Sequence, residues 1–246
     1  FKQLGILASW DTPYITMSAS YEASIIRSFA QFVSKGHIER KGKAVPWCLH
    51  CQTVLASAEI EYKDRKDPST YILFPCSDNL IVALGDEYVG GEVSVLIWTT
   101  TPWTIPLNRA VLFHPEFEYE LVEIGDSSLT SLNKESTLDQ SATSKLILNT
   151  SYALMSGDAR VLLEKKLGIS ITVVKKISGS MLAGHFVRHP ITSRQTPLIA
   201  DASVEAGSGT SFVHCAPGCG PEDYLVGLKN RLEIFSPVDA AGVYTD

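Results

Sequence analysis

Two short stretches concentrate hydroxyls, an imidazole and paired carboxylates. The first is Trp98–Thr99–Thr100–Thr101–Pro102–Trp103–Thr104–Ile105–Pro106–Leu107–Asn108, which follows the apolar run VSVLI. Side chains alternate along a strand, so three consecutive threonines cannot share one face. Pro102 disfavours helix at Thr101 and cannot donate to a ladder. The spacing therefore predicts a strand end that turns hydroxyls and backbone N–H groups into a cleft. Such groups can hold a water, a ribose hydroxyl or an ester oxygen. The same letters also fit an ordinary Thr-rich strand end, since Thr is favoured in strands.

The second stretch runs from Gly207 to Tyr224, GSGTSFVHCAPGCGPEDY. A short strand is expected to end at His214, after which a Gly/Pro-rich loop delivers Glu222 and Asp223 to a helix start. Pro221 suits the first helical turn, and acids are favoured there. A special loop that presents His and Asp together is a common form of a site. The structural alternatives are capping for the two acids and a satisfied core position for His214. A third candidate is Cys48 and Cys51, a CxxC between Trp47 and a short strand. It suits half of a four-thiolate zinc site. Cys76 stands alone and Cys215 and Cys219 belong to the second stretch, so the ligand set is incomplete and two free surface thiols are the alternative.

These residues need elements to hold them. Ile25, Ile26, Phe29, Phe32 and Val33 recur at helical spacing and predict a helix over 21–36, read as a plain core helix, capped by Ser18 or Ser20 and closed by Gly36. From Ser69 onward the texture is β. Runs 71–74, 93–98, 110–113, 119–124, 171–174, 197–199 and 211–214 read as strands, with 146–148 as a further candidate. Residues 158–167 read as a helix with Asp158 as cap and Gly168 as stop. The Ser/Thr-rich segment 126–144 reads as a loop insertion. Many short strands with few helices predict a closed or nearly closed, mainly β structure with flanking helices.

The chain has 246 residues, 45% of them hydrophobic, and a net charge of −6. That is enough for one or two packed domains. No apolar run approaches the roughly 20 residues that cross a bilayer, so no membrane partner is expected. An acidic chain predicts weak affinity for nucleic acid, whose binders usually carry a basic face. Five cysteines without a pairing pattern point to a reducing compartment. The chain opens on Phe1 without a signal-peptide layout and reads as a piece of a longer protein.

WTTTPWTIPLN and GTSFVHCAPGCGPEDY resemble the two signature segments of the editing domain of bacterial-type isoleucyl-tRNA synthetases, of the forms WTTTPWTLPAN and GTGAVHTAPGHGPDDY. FKQLGILASWDTPYITM, VPWCLHCQTVLASAEIEY and PVDAAGVYTD resemble the same family in order, so the likeness covers nearly the whole chain. The Thr-Thr-Thr-Pro-Trp run favours the isoleucine enzymes over the leucine and valine ones, where Thr-Thr-Arg-Pro is the pattern. Two departures stand out: Ser211 replaces a Gly and Cys219 replaces a His. Cys215 replaces a Thr of similar size.

The resemblance implies an α+β, mainly β, barrel-like editing domain at 67–235. It implies a helical connective segment from the Rossmann catalytic domain at 1–43, a CxxC connective ribbon at 44–66 and a return strand at 236–246. It implies hydrolysis of valine from mischarged isoleucine tRNA. Thr99, Thr100, Thr101, Trp103 and Thr104 would line the pocket, Asn108 would support it, His214 would limit side-chain size beside the ester, and Asp223 would meet the α-ammonium group, with Glu222 as its acidic neighbour. Thr100, Thr101, His214 and Asp223 are the expected catalytic set. Editing needs no cofactor in this reading. Zinc at Cys48 and Cys51 would be completed outside the chain, and ATP belongs to the catalytic domain. The HIGH and KMSKS motifs are absent from these residues, so the piece itself is expected not to charge tRNA. The expected partners are the tRNA and the rest of the synthetase. The expected setting is a monomer in the cytoplasm, or alternatively in an organelle. The alternative function is a tRNA 3′-end binding module with a decayed hydrolytic site, which Ser211 and Cys219 would mark.

Overall fold

The computed structural model describes residues 1–64, 66–67, 69–85, 91–124, 152–168 and 170–245. They form two compact units, Phe1–Lys43 and Ala44–Asp246. The expected loop insertion at 126–144 and strand at 146–148 lie outside the described residues.

In the first unit, helix α1 spans Ala19–Ser34 with Ser18 at its N-cap position. Gly36 takes φ +73°, the left-handed value that ends helices. The predicted stripe is present, but α1 is not a core helix. Ile25, Ile26, Phe29, Phe32 and Val33 are between 48% and 66% exposed, and no residue of the helix is buried. Periodicity reports which face seeks cover; it does not supply the cover.

The second unit opens with a hairpin of β1 (Trp47–Cys48) and β2 (Thr53–Val54). Then follow β3 (Thr70–Pro75), helix α2 (Asp78–Leu84), β4 (Val93–Thr99), β5 (Ala110–Phe113), β6 (Glu118–Glu123), β7 (Tyr152–Ser156), helix α3 (Gly157–Leu167), β8 (Thr172–Ser178), β9 (Phe186–Arg188), β10 (Gln195–Ala200), β11 (Phe212–Cys215) and helix α4 (Pro221–Lys229). One sheet runs β3-β4-β7-β6-β8 and the other β11-β5-β10-β9. Both are mixed: β4 with β7 and β10 with β5 are parallel.

Among the described residues the expected barrel does not close. Each sheet is open, and among the described residues a single isolated bridge, Cys76 with Val187, joins the end of β3 to β9. Alternation explains the layering. Val95 and Ile97 of β4, Val111 and Phe113 of β5, Tyr119 and Leu121 of β6 and Phe212 of β11 share one core between the sheets, completed by Leu80 and Leu84 of α2. The opposite face of the five-stranded sheet, with Leu96 and Met155, packs on Ala159 and Leu163 of α3. The opposite face of the four-stranded sheet, with Ala110, Leu112 and Cys215, packs on Val226 of α4. Strand β5 is therefore buried on both faces and reads as a continuous apolar run.

Local rules set the helix ends. The Ser156 hydroxyl, not Asp158, caps α3 by accepting the Ala159 N–H at 3.3 Å. Asp158 instead sits in the first turn, where a carboxylate meets the positive end of the helix. Ser77 caps α2 in the same way, through the Leu80 N–H. Helix α2 and strands β7 and β9 carry no strong sequence signal: each is seven residues or shorter, and period is poorly defined over so few.

Candidate functional site

Strand β4 ends at Thr99, paired with Thr70 of β3. The chain then does not run on as an extended strand end. Pro102–Leu107 wind into a 3-10 helix with Pro102 in its first turn. Three things start this turn. The Thr101 N–H donates to Thr99 Oγ1 at 3.0 Å, the two hydroxyls lie 3.2 Å apart, and the Thr101 carbonyl accepts both the N–H and the hydroxyl of Thr104, the latter at 2.8 Å. Alternation separates the threonines as expected: Thr99 is buried and Thr100 is exposed, its hydroxyl unbonded among the described residues. Trp103 is half-exposed, and its carbonyl accepts the Tyr244 hydroxyl.

The second stretch meets this turn through β11, which pairs with β5 so that His214 lies opposite Val111. His214 Nε2 is 2.8 Å from Thr104 Oγ1, and Nδ1 is 3.3 Å from Asn108 Nδ2. One tautomer satisfies the whole set. The Thr104 hydroxyl proton goes to the Thr101 carbonyl, so Thr104 accepts from His214 Nε2–H. Nδ1 then accepts from Asn108, whose other N–H donates to the Ala110 carbonyl at 2.7 Å. Burial, with the nearby His189 second, lowers the His214 pKa to about 4. The ring is therefore neutral at pH 7 with both nitrogens engaged. It has no free lone pair for a water proton, so its geometry suits a fixed wall better than a general base.

Beyond His214 the loop is seated by Gly218. A Cβ there would lie 2.1 Å from the Phe235 carbonyl oxygen, so only glycine fits. The loop ends at α4, whose first turn carries Glu222, exposed, and Asp223, half-buried. The Ala216 N–H, two residues past His214, donates to Asp223 Oδ2 at 2.8 Å. No cation and no second hydrogen bond reaches the Asp223 carboxylate among the described residues. Burial raises its pKa, the Ala216 N–H opposes this, and the Glu222 charge adds to the rise. An acid that is part-buried, tethered by one oxygen and short of a counter-charge is poised for an external cation.

Of the expected site residues, the fold joins Thr104, Asn108 and His214 by direct hydrogen bonds and ties Thr99 and Thr101 to the same turn. Thr100, Trp103 and Glu222 make no hydrogen bond to His214. The departures are also explained in part. Ser211 sits at φ +56°, a left-handed position suited to glycine, and its buried hydroxyl lacks a partner. Its carbonyl accepts the Tyr119 hydroxyl at 3.0 Å. Cys219 is exposed in the turn closed by its N–H to the Ala216 carbonyl. His189 was not legible beforehand. It is buried, donates Nε2–H to the Ile105 carbonyl at 2.8 Å and accepts from the Ile191 and Thr192 N–H groups. The side chain thus braces the same 3-10 turn from behind.

Cys48 and Cys51 stand apart in the β1–β2 hairpin. The Cys51 N–H donates to Cys48 Sγ at 3.3 Å, and that bond is the main cause holding the Cys48 thiol below its usual pKa. The arrangement fits half of a thiolate metal site. Among the described residues no three His, Cys, Asp or Glu side chains converge to complete one. No helix of the described residues is long and apolar enough to cross a membrane.

Residues 1–225 match the family model of class I tRNA synthetases (I, L, M and V). The chain is 39% identical over 247 residues to the isoleucine–tRNA ligase of Psychrobacter arcticus, covering 100% of this chain and 24% of that protein. It is 37% identical over 246 residues to that of Desulfotalea psychrophila, with the same two coverages. The chain thus spans about a quarter of the length of these curated relatives. Among solved structures, the P. knowlesi cytosolic leucyl-tRNA synthetase editing domain is similar at a TM-score of 0.49 and 12% identity, over 68% of this chain and 64% of that one. A family match over most of its length means that the chain belongs to the class I tRNA synthetases (I, L, M and V).

Proposed function

We propose that this chain carries the editing site of an isoleucyl-tRNA synthetase and hydrolyses valine from mischarged isoleucine tRNA. The observation that carries the reading is the Asp223 carboxylate, anchored by one oxygen beside the His214 strand end and without a counter-charge among the described residues. The α-ammonium group of an aminoacyl ester supplies that charge. A pocket distinguishes one methylene by only about 1–3 kcal/mol, and isoleucine against valine on this very family of enzymes is the standard illustration. A second site that admits the smaller side chain removes the remaining error. His214, fixed from both ring nitrogens, is the wall that excludes isoleucine.

No Ser–His–Asp nucleophile set is assembled around His214 among the described residues, and its ring is occupied. Water is the nucleophile in this reading, placed by the Thr100 hydroxyl and the N–H groups of the turn. A ribose hydroxyl of the tRNA assists, and no covalent enzyme intermediate forms. The test is deacylation of valine-charged and isoleucine-charged tRNA by the chain and two variants. The wild type should release valine and spare isoleucine. His214→Ala should release both, and Asp223→Ala should release neither. A wild-type chain that binds the tRNA end but releases no valine would leave only the alternative, a binding module.

A further inference from the structure

Beside the site lie two cations that the proposed hydrolysis does not use. Arg109 and Arg194 both donate to the carbonyl oxygen of Asn108, the residue whose side chain holds His214. Arg109 does so through Nη1 at 3.0 Å and Arg194 through Nη2. Arg109 also donates from Nε to Glu233 Oε2 at 3.0 Å and lies with Cζ 4.2 Å from the Phe235 ring centre. Its side chain is 9% exposed, whereas that of Glu233 is 67% exposed. Arg194 enters from the residue before β10 and is half-buried. The Asn108 carbonyl is the only hydrogen-bond partner of its guanidinium among the described residues, and no carboxylate there lies within ion-pair distance of it.

Two guanidiniums on one carbonyl oxygen repel each other, and one exposed carboxylate does not balance both. Most of the Arg194 donors remain unspent, since a guanidinium carries five N–H groups. The arrangement is a local positive centre in a chain whose net charge is −6. The Arg194 donor fork matches the paired oxygens of a phosphate, while Arg109, with Nε and Nη1 engaged, adds charge behind it. We propose that Arg194, with the charge of Arg109 fixed behind it, binds a backbone phosphodiester of the RNA 3′ strand whose terminal nucleoside occupies the His214 site. The inference rests on the proposed function for the identity of that strand. It explains how an acidic chain holds an anionic substrate: the positive charge is focused at one point beside the site, not spread over a face.

The test measures binding of a short CCA-ended oligoribonucleotide to the chain across a salt series, with valyl-adenosine, which has no phosphate, as the companion ligand. Arg194→Gln should lower the affinity for the oligonucleotide about tenfold relative to valyl-adenosine. It should also reduce the slope of log affinity against log salt by about 0.7, the value for one phosphate contact on a single strand. Glu233→Gln removes the competing carboxylate and should tighten oligonucleotide binding while leaving valyl-adenosine hydrolysis unchanged. Glu233 is exposed, so this variant keeps the test open if Arg194→Gln fails to fold. The site is overturned if folded Arg194→Gln keeps the wild-type affinity and slope, or if Glu233→Gln weakens binding. Inorganic phosphate binding as tightly as the oligonucleotide would also overturn it, in favour of a free-anion site. A chain that binds the oligonucleotide in this manner but never deacylates would overturn the proposed function and leave the phosphate site standing.

Discussion

Two buried histidines brace one 3-10 turn, and the contrast between them separates framework from site. His189, 1% exposed, spends its ring on backbone alone: the Ile105 carbonyl on one side and the Ile191 and Thr192 N–H groups on the other. His214, 8% exposed, touches the turn through side chains, the Thr104 hydroxyl and the Asn108 amide. Both are held neutral, chiefly by burial. Backbone partners cannot be exchanged without moving the chain, so His189 is a strut. Side-chain partners leave the His214 ring edge replaceable, which is what the proposed selectivity role requires.

The largest expected effect would break this contrast if it fell on the wrong residue. His189→Ala removes a fully buried ring packed on Phe74 and leaves the buried Ile105 carbonyl unpaired, and should cost about 4 kcal/mol of unfolding free energy in a denaturant titration. His214→Ala should cost distinctly less, because part-exposed Thr104 can turn to water while Asn108 keeps its bond to the Ala110 carbonyl. Equal losses would mean that both histidines are struts.

Acid should produce the next largest effect. The unfolded chain protonates its histidines as pH falls through about 6.5, while folded His214 resists protonation down to about 4. The unfolded state therefore binds more protons between those values, and stability falls as pH drops from 6.5 towards 4. The loss from His214 alone should be on the order of 3 kcal/mol. Unfolding curves between pH 7 and pH 4 check this, and His214→Gln should flatten the dependence without removing the part due to His189.

A contrast of the same kind separates two acids. Glu120, buried in β6, is matched by Arg160 at 2.6 Å, while Asp223 has no cation among the described residues. Asp223→Asn should lower kcat/KM for valine release about 10- to 100-fold, the loss expected for a hydrogen bond to a charged group. The raised pKa of Asp223 means that the folded state disfavours its ionised form, so the same variant should unfold at a higher temperature at pH 7. Lost activity with lost stability would mean a structural acid. The smallest effect concerns Ser211. Its left-handed backbone and unpartnered hydroxyl predict that Ser211→Gly stabilises the chain by about 1 kcal/mol, read as a rise in Tm, with valine release retained.

Local pattern carried much of the fold. The strand at Ala110–Phe113 reads directly from four consecutive apolar residues, and Gly168 stops α3 because its φ of +64° costs glycine nothing. The opposite placement of Thr99 and Thr100 also follows from alternation, whereas Thr101 is exposed because the strand has ended. Other features were silent because they depend on partners far along the chain. The strand at Phe186–Arg188 exists by pairing with β10, and His189 gains meaning only from a carbonyl 84 residues away. The reverse error is as instructive. Helix α1 shows the clearest stripe in the sequence yet buries no residue, since a stripe states a demand that only a neighbour can meet.

Sequence by itself determined that the two stretches exist, that each ends a strand, and which family the pair resembles. It also determined that Asp223 starts a helix, because Pro221 and two acids suit a first turn whatever surrounds them. Tertiary structure decided the rest. Among the described residues it formed two open sheets and not a closed barrel, brought His214 within 2.8 Å of Thr104 across 110 residues, and left Asp223 without a cation while placing two arginines on the carbonyl of Asn108. Spacing along a chain fixes what a residue can do locally, but burial, tautomer and counter-charge are properties of the surroundings, and those are set only when distant strands pair.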